Sequence, residues 1–228
     1  MSEPSAAPGP LVVAIDGPSG TGKSTASRRL ARRLGIPYLD TGAMYRAVAL
    51  AVLDRGADPD DSEAVREIAE GAEVGLRGRE DGDFEVLLDG EPVEPRIRAP
   101  RVGEAASKVS AIPEVRQRMV ALQRACAARF GGVLEGRDVG TRVFPGTPHK
   151  FFVTARAEVR HRRRWEELRE QGREVELAAV AREMRERDRR DSTRADSPLT
   201  LDGSYTEIDT SDLSIDQVVE RMTRAVRG

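Results

Sequence analysis

The sequence predicts an α/β protein in which helices cover both faces of a parallel sheet. Short apolar runs alternate with segments of helical spacing along most of the 228 residues, and this alternation is typical of parallel sheets. The first apolar run leads into a glycine-rich turn and then a helix, an order found at phosphate-binding sites. One segment, residues 73–95, breaks the alternation with short antiparallel strands, and we interpret it as an insertion.

The chain begins with small, polar and proline-bearing residues, so residues 1–10 predict a flexible tail. The apolar run at residues 11–15 then predicts a buried parallel strand. Helical spacing over residues 23–34 predicts a helix that Gly35 ends, because glycine accepts the left-handed conformation common after a helix. Residues 36–39 predict a second short strand.

Two further helices and a change of pattern follow. Asp40 and Thr41 can cap a helix that runs to Gly56, and residues 62–72 predict the next helix. Within residues 73–95, turns that contain aspartate and glycine separate short runs suited to strands, which is typical of hairpins. The later predicted helices and strands are residues 102–110, 113–130, 133–135, 151–154, 157–171, 175–190, 204–209 and 214–226.

Composition limits the classes of partner. The 37 basic and 39 acidic residues leave a net charge of −2, so the bulk charge gives no reason to expect nucleic acid or an anionic membrane. A single cysteine, Cys126, excludes an internal disulfide framework and a cysteine-based zinc site. No apolar run is long enough to span a bilayer, and the N-terminal residues lack a signal-peptide pattern. We expect a cytoplasmic monomer without a nucleic-acid or membrane partner.

Residues 17–24 match the phosphate-loop pattern G-x-x-x-x-G-K-[ST] at every fixed position, between an apolar strand and a helix. Such a loop curls so that backbone N–H groups and the N-terminus of the helix face one phosphate. Lys23 is then expected to reach the β- and γ-phosphates of ATP, and the Ser24 hydroxyl to ligate Mg²⁺. A chance glycine-rich turn is the alternative, which the flanking strand and helix disfavour. The residues predicted to contact the ATP phosphates are Gly17, Pro18, Ser19, Gly20, Thr21, Gly22, Lys23, Ser24 and Thr25.

Two other classes of phosphate-loop protein are disfavoured. A GTPase would normally carry an N-K-x-D motif, and the sequence contains no asparagine. A large oligomeric ATPase would usually show an apolar strand that ends in Asp-Glu, and the sequence shows none. The class that remains is a small kinase that holds ATP on the loop beside a second, phosphate-bearing substrate.

Four motifs resemble those of bacterial cytidylate kinases, which phosphorylate CMP and dCMP: GPSGTGKST, DTGAMYR, EGRDVGT and RDRRDSTR. The resemblance covers nearly the whole chain. It implies a P-loop kinase fold with a five-stranded parallel sheet flanked by helices, an inserted nucleoside-monophosphate-binding domain and a short helical lid. The implied boundaries are 11–40 and 107–228 for the core, 41–106 for the CMP-binding insert and 156–172 for the lid. The implied reaction is the ATP- and Mg²⁺-dependent phosphorylation of CMP and dCMP.

The resemblance also implies roles for individual side chains. Arginines supply forked donors for phosphate oxygens, and the edge of cytosine suits a carboxylate, an arginine and a hydroxyl. The residues implied at the CMP phosphate are Thr41, Arg46, Arg137 and Arg194; at the cytosine, Ser107, Arg116 and Asp138; and at the sugar, Arg187 and Asp191. The residues implied in catalysis are Lys23, Arg163, Arg164 and Arg187, with Arg160 beside them on the lid. Glu135 stands where the family often has aspartate, so we assign it no role.

Each assignment has an alternative. The arginines of the lid can instead form a solvated helix face. Asp138 can instead order its own turn by accepting from the backbone N–H of Gly140 or Thr141. For the whole protein, the rivals are a kinase for UMP or for a non-nucleotide metabolite, and an arginine-rich ATPase that binds nucleic acid. The net charge of −2 and the aromatic content of 4% disfavour the last of these.

Overall fold

The computed structural model describes residues 9–228, and within them eight helices and eight strands are formed. The predicted flexible tail lies outside the described residues except for its last two positions. The strands are Val12–Asp16 (β1), Tyr38–Asp40 (β2), Val74–Gly78 (β3), Phe84–Leu88 (β4), Glu91–Pro92 (β5), Gly132–Gly136 (β6), His149–Thr154 (β7) and Thr206–Asp209 (β8). The helices are Lys23–Leu34 (α1), Thr41–Asp54 (α2), Ser62–Gly71 (α3), Pro100–Val109 (α4), Pro113–Phe130 (α5), Ala157–Glu170 (α6), Leu177–Thr193 (α7) and Ile215–Arg227 (α8).

Five of the described strands form one parallel sheet in the order β2-β6-β1-β7-β8. The α/β class and the five-stranded parallel sheet are therefore confirmed. β1 lies at the centre, where Ala14 pairs in register with Leu134 of β6 and Ile15 with Phe151 of β7. Because parallel strands end at the same edge of a sheet, the segments that follow β1, β2 and β6 converge there, which is where such folds bind ligands.

Alternate residues of the central strand pack against helices on opposite faces of the sheet. Val13 and Ile15 belong to one apolar cluster with Leu30 of α1 and Met222 of α8. Ala14 belongs to a second cluster, built with α2, α4 and α5. This period of two is what burial on both faces requires of a strand.

A second, antiparallel sheet has the order β3-β4-β5 and lies in the sequence between α3 and α4. Its inward side chains, among them Val86 and Leu88, are buried in the same apolar cluster as α2. The turn between β3 and β4 touches the edge of the parallel sheet. There Tyr38 N donates to Gly82 O at 3.2 Å, and Arg28 Nε pairs with Asp83 Oδ2 at 2.7 Å.

The structure also holds elements that the sequence pattern does not predict. A single π-helical turn covers Val139–Val143 directly after β6, and a 3₁₀ turn covers Arg96–Arg98 before α4. The π-helical turn is held by a carboxylate distant in sequence, described below, so no local pattern announces it. None of the helices within residues 9–228 has the length and apolar composition that crossing a membrane requires.

Candidate active site

The phosphate loop connects β1 to α1 and depends on two glycines. A Cβ on Gly17 would lie 2.0 Å from Val153 O, and one on Gly20 would lie 2.8 Å from Arg160 O. Both also have positive φ angles, 147° and 77°, which other residues rarely adopt. Glycine at these positions lets the loop pack against its neighbours while Ser19, Gly20, Lys23 and Ser24 line an adjoining cleft of about 420 Å³.

Lys23 is a buried cation at the base of this cleft. Its Nζ donates to Pro18 O at 3.2 Å. Burial, followed by repulsion from Arg137, lowers the pKa of Lys23 from 10.5 to about 7, although Glu135 opposes the shift. A bound phosphate would supply the negative charge that this ammonium lacks, so the position is suited to an anion.

Glu135, at the end of β6, is a site residue to which the sequence analysis assigned no role. Its Oε1 accepts a hydrogen bond from Ser24 Oγ at 2.7 Å, and its Oε2 is buried with no hydrogen-bond partner among residues 9–228. Burial, and then the charge of Asp40, raise the pKa of Glu135. A hydroxyl and a carboxylate are the hard oxygen donors that Mg²⁺ prefers, so these two residues fit a magnesium ion held otherwise by phosphate oxygens and water.

Three arginines approach the cleft from different elements: Arg46 from α2, Arg137 after β6 and Arg187 from α7. Arg187 forms none of the ion pairs found among the described residues, and its Nε is buried without a partner. Burial and then repulsion from Arg137 lower the pKa of Arg187 to about 10. With Lys23, these side chains form a cationic cluster suited to a substrate that carries several phosphates.

Asp40 organises the entrance to the cationic cluster and was predicted only as a helix cap. It does cap α2, since Oδ1 accepts from Ala43 N at 3.1 Å. Its other oxygen, Oδ2, lies 3.5 Å from Arg46 Nη1 and 3.1 Å from Arg98 Nη1. Burial acts to raise the pKa of Asp40, but Arg46 and Arg98 outweigh it and hold the pKa below its usual value. Arg98 lies in the 3₁₀ turn and is a cleft residue that the sequence analysis missed.

A second part of the cleft is built around Asp138. Its Oδ2 accepts a hydrogen bond from Arg116 Nη2, and its Oδ1 lies 3.5 Å from Arg194 Nη2. The alternative that Asp138 orders its own turn through the N–H of Gly140 or Thr141 is wrong, because Gly140 N donates to Asp16 instead and the Asp138 side chain makes no capping hydrogen bond to the turn. Asp138 therefore presents a carboxylate, flanked by two arginines, to the cleft.

Thr41, Ser107 and Asp191 complete the wall of the cleft. The Thr41 hydroxyl donates to Glu135 O at 2.7 Å, and the Ser107 hydroxyl accepts from Arg190 Nε at 3.2 Å. Asp191 Oδ2 accepts from Arg137 Nε at 2.8 Å, so in this structure its partner is Arg137.

The three arginines of the predicted lid that the sequence analysis named differ in what they face. Arg160 Nη1 donates to Ser19 O at 3.1 Å and pairs with Asp188 at 2.8 Å, so it joins the phosphate loop to α7. Arg163 donates to Thr210 through both terminal nitrogens, at 3.0 and 2.8 Å, and does not line the cleft. Arg164 lines the cleft and pairs with Glu167 of its own helix at 2.8 Å.

The cleft brings most of the sequence-predicted residues together. Those that line it are Ser19, Gly20, Lys23, Ser24, Thr41, Arg46, Ser107, Arg116, Arg137, Asp138, Arg164, Arg187, Asp191 and Arg194. Those that do not are Gly17, Pro18, Thr21, Gly22, Thr25 and Arg163. Residues missed by the sequence analysis include Asp40, Tyr45, Arg98 and Glu135. Three of these four lie within or beside the quoted motifs, which was the available signal.

Comparison with known proteins agrees with this geometry. The family model for cytidylate kinase matches residues 13–228. A cytidylate kinase from Corynebacterium glutamicum is 52% identical over 222 residues, which is 96% of this chain and 96% of that protein. Cytidylate kinases from Mycobacterium avium and Caldanaerobacter subterraneus subsp. tengcongensis are 48% and 46% identical, covering 95% and 94% of both chains.

A structural comparison supports the fold alone. The crystal structure of an uncharacterized protein from Eubacterium ventriosum ATCC 27560 has a TM-score of 0.51 at 12% identity, covering 96% of this chain and 99% of that one. The function therefore depends on the sequence relationship and on the site. A family match that spans almost all of the described residues, together with these relatives, shows that the chain belongs to the cytidylate kinase family.

Proposed function

We propose that the protein transfers the γ-phosphoryl group of ATP to CMP and dCMP, giving ADP with CDP or dCDP. The observation that carries the proposal is a single cleft lined both by the cationic cluster and by a carboxylate flanked by arginines. A nucleoside monophosphate offers the matching groups, a phosphate for the cations and a base for the carboxylate. The cytidylate kinase relatives support cytosine as that base.

The donor side is the phosphate loop. Its backbone N–H groups and the N-terminus of α1 face the β-phosphate, as in other phosphate loops. Lys23 reaches the β- and γ-phosphates from the base of the cleft. Mg²⁺, held through Ser24 with Glu135 behind it, would neutralise charge on the phosphate oxygens.

The acceptor side orients CMP at both ends. Arg46 and Arg137 hold the phosphate, and Asp138 accepts a hydrogen bond from the N4 amino group of cytosine, with Arg116 and Ser107 beside it. Asp191 and Arg187 hold the pentose, for which Asp191 must share its carboxylate with Arg137. Fixing both ends places an oxygen of the CMP phosphate opposite the γ-phosphorus of ATP.

In the transfer step, an oxygen of the CMP phosphate attacks the γ-phosphorus, and the bond from that phosphorus to the β–γ bridging oxygen breaks. The bridging oxygen keeps the electron pair and leaves as part of ADP. Negative charge is present throughout, so catalysis consists mainly of positioning and charge neutralisation. Lys23, Arg164 and Arg187 are placed to neutralise that charge from the cleft, whereas Arg163 would have to leave Thr210 to do so.

Closure is part of the proposal. The insert, residues 41–106, and the lid, residues 156–172, close over the two nucleotides and exclude water that would otherwise hydrolyse ATP. In the structure Arg98 of the proposed insert already pairs with Asp40 in the wall of the cleft, so the insert would be linked to the core before it closes. We further propose that the enzyme acts as a monomer in the cytoplasm. Size-exclusion chromatography of the purified protein checks the monomeric state.

A panel of acceptors tests the proposal. Purified protein, ATP and Mg²⁺ are assayed for ADP formation with CMP, dCMP, UMP, AMP, shikimate and gluconate, each at the same concentrations. We expect turnover to be fastest with CMP or dCMP and slower with UMP. Faster turnover with a non-nucleotide acceptor would reject the proposal, and ATP hydrolysis stimulated by RNA but not by CMP would revive the nucleic-acid-dependent ATPase.

Removing the carboxylate of Asp191 is expected to weaken the binding of CMP and dCMP but not the binding of ATP. Asp191→Ala deletes the proposed pentose contact and releases Arg137, which points at the CMP phosphate. Loss of a hydrogen bond to a charged group costs about 1.5–3 kcal/mol, so KM for both acceptors should rise about 10-fold or more. KM for ATP should stay within about twofold of wild type. Steady-state kinetics with each substrate varied in turn measures both constants.

The matched control is Asp212→Ala, which also breaks an aspartate–arginine pair, at 2.7 Å, but outside the cleft. Its kinetics should equal those of wild type. A melting curve is recorded for each variant. An Asp191→Ala protein that melts earlier but keeps wild-type KM values in its folded fraction would reduce Asp191 to a structural role.

A further inference from the structure

Asp16 is a fully buried carboxylate at the end of β1, immediately before the phosphate loop. Its Oδ1 accepts a hydrogen bond from Val139 N at 2.9 Å. Its Oδ2 accepts from Gly140 N at 2.8 Å and from the Tyr205 hydroxyl at 2.8 Å. None of the ion pairs among residues 9–228 includes Asp16, so these neutral donors are what solvates its charge.

The two backbone donors belong to the turn that carries the proposed CMP ligands. Val139 directly follows Arg137 and Asp138 in the chain, and both of those side chains line the cleft. β1 and β6 run side by side, with Asp16 in register with Gly136, so the carboxylate bridges two neighbouring strand ends. One side chain thereby connects the segment that holds ATP with the segment that holds CMP.

Tyr205, which precedes β8, holds Asp16 from a third element. Its ring packs edge-on against Phe152 of β7, with 5.9 Å between ring centroids. A Cβ on Gly140 would lie 2.7 Å from the Tyr205 hydroxyl, so only glycine there allows the approach. The tyrosine therefore limits the carboxylate and the turn to one arrangement.

The ionised form of Asp16 does not add to the free energy of unfolding. Burial raises its pKa from 3.8 to about 6 against the effect of the two backbone N–H donors, and Asp138, the charged group that faces it from the turn after β6, raises it further. The titratable group that faces it from the β8 side is Tyr205, whose hydrogen bond lowers the pKa. A carboxyl with a raised pKa contributes most to stability below pH 3.8, and that contribution is lost as the pH rises through 6.

We propose that Asp16 is a positioning residue whose ionised carboxylate sets the CMP-binding turn in place against the phosphate loop, with Tyr205 fixing its orientation. This inference depends on the proposed function, since it names Arg137 and Asp138 as the groups being positioned. Protonation, or an amide in place of the carboxylate, turns one of the two oxygens into a donor, so one of the two backbone N–H groups loses its acceptor. The turn must then shift, and CMP loses its ligands while ATP keeps its loop.

The test compares Asp16→Asn and Tyr205→Phe with Ser204→Ala, a control that removes the hydroxyl of the residue next to Tyr205, which does not contact Asp16. For Asp16→Asn we expect kcat/KM for CMP to fall about 100-fold, because a misplacement of about 1 Å caused by a change away from the chemistry can cost that much. ADP affinity, measured by calorimetry, should change less than about threefold. The melting temperature at pH 8 should stay within about 4 °C of wild type.

The pH dependence separates positioning from a merely structural role. In wild type, kcat/KM for CMP should fall below about pH 6 as Asp16 is protonated, in addition to the fall caused by protonation of the substrate phosphates. Tyr205→Phe removes a hydrogen bond that lowers the pKa of Asp16, so the fall should begin at higher pH. In Asp16→Asn only the part caused by the substrate phosphates should remain. Ser204→Ala should follow the wild-type profile.

Two results would overturn the inference. One is a fall of kcat/KM for CMP at low pH that is the same in Asp16→Asn and Tyr205→Phe as in wild type. The other is an equal loss of CMP and ADP affinity with a lower melting temperature. If Asp16→Asn does not fold, the pH profile of kcat/KM in Tyr205→Phe still tests the inference, because a profile that is not shifted would contradict it. Failure of the proposed function is distinguishable, because wild-type protein would then not phosphorylate CMP at any pH.

Discussion

Replacing Lys23 with alanine is expected to lower kcat by at least about 10²–10³-fold, the loss usual when one preorganised charge-stabilising group is removed from a site. Lys23 is the only lysine among the described residues that lines the cleft, and it follows the loop that we propose binds the ATP phosphates. Arg137 and Arg187 lie nearby but come from the acceptor side. They cannot replace a cation placed between the β- and γ-phosphates.

The same substitution should leave the protein folded and at least as stable as wild type. Burial lowers the pKa of Lys23, so the folded protein binds this proton more weakly than the unfolded chain does. The resulting penalty on stability is complete below pH 7 and fades between pH 7 and 10.5. Alanine removes the penalty together with the repulsion from Arg137. Initial rates with CMP, and a melting curve at pH 7, measure the two effects.

Lys108→Ala is the matched control, because Lys108 is a lysine on α4 that pairs with Asp60 at 2.5 Å outside the cleft. Its kcat should equal that of wild type. A folded Lys23→Ala protein that turns over CMP at a normal rate would remove the phosphate-loop assignment, and the proposed function would fail with it.

The second large effect is expected at Asp138, which we propose reads the amino group of cytosine. Uracil presents a carbonyl oxygen at that position, so two acceptors would face each other. Leaving such a group unpaired costs on the order of 1–3 kcal/mol, or about 5–150-fold in kcat/KM. Asp138→Ala should therefore lower kcat/KM for CMP more than for UMP and narrow their ratio.

A second variant, Asp138→Asn, keeps the test valid if Asp138→Ala destabilises the protein. Alanine at this position leaves Arg116 and Arg194 buried without their carboxylate, and unpaired buried charge destabilises proteins. Asparagine keeps the shape, and its amide nitrogen can donate to O4 of uracil. We expect the CMP-to-UMP ratio to narrow further in Asp138→Asn than in Asp138→Ala. Equal losses for both nucleotides in both folded variants would exclude Asp138 from base recognition.

Local chemistry explains why some elements are predictable from the sequence. The helix predicted over residues 23–34 has those same bounds, because the phosphate loop starts it and Gly35, at a φ of 68°, ends it. Asp40 caps α2 as predicted, since its carboxylate is adjacent in the chain to the N–H groups it serves. By contrast, the predicted helix over residues 175–190 begins at 177 and extends to 193. Its C-terminal half, RERDRRDST, is so charged that no apolar period marks where the helix ends.

Long-range contacts explain what the sequence could not predict. The π-helical turn after β6 depends on Asp16, 123 and 124 residues away from the two N–H groups it bonds. Among the lid arginines, Arg163 and Arg164 differ by a 100° rotation on one helix. That rotation puts Arg164 in the cleft and Arg163 against Thr210. Only the placement of α6 against the rest of the chain decides between them.

The contact between the β3–β4 turn and β2 also bears on aggregation. β2 is the outer strand on one side of the parallel sheet, and an outer strand offers unpaired backbone groups to other chains. Here Gly82 O accepts the hydrogen bond from Tyr38 N, and the pair Arg28–Asp83 lies beside it. The first backbone N–H of β2 is therefore already hydrogen-bonded to the β3–β4 turn, so a strand from a second copy cannot pair with it. Any displacement of the β3–β4 turn would leave this backbone N–H of β2 unpaired and available to a strand of another chain.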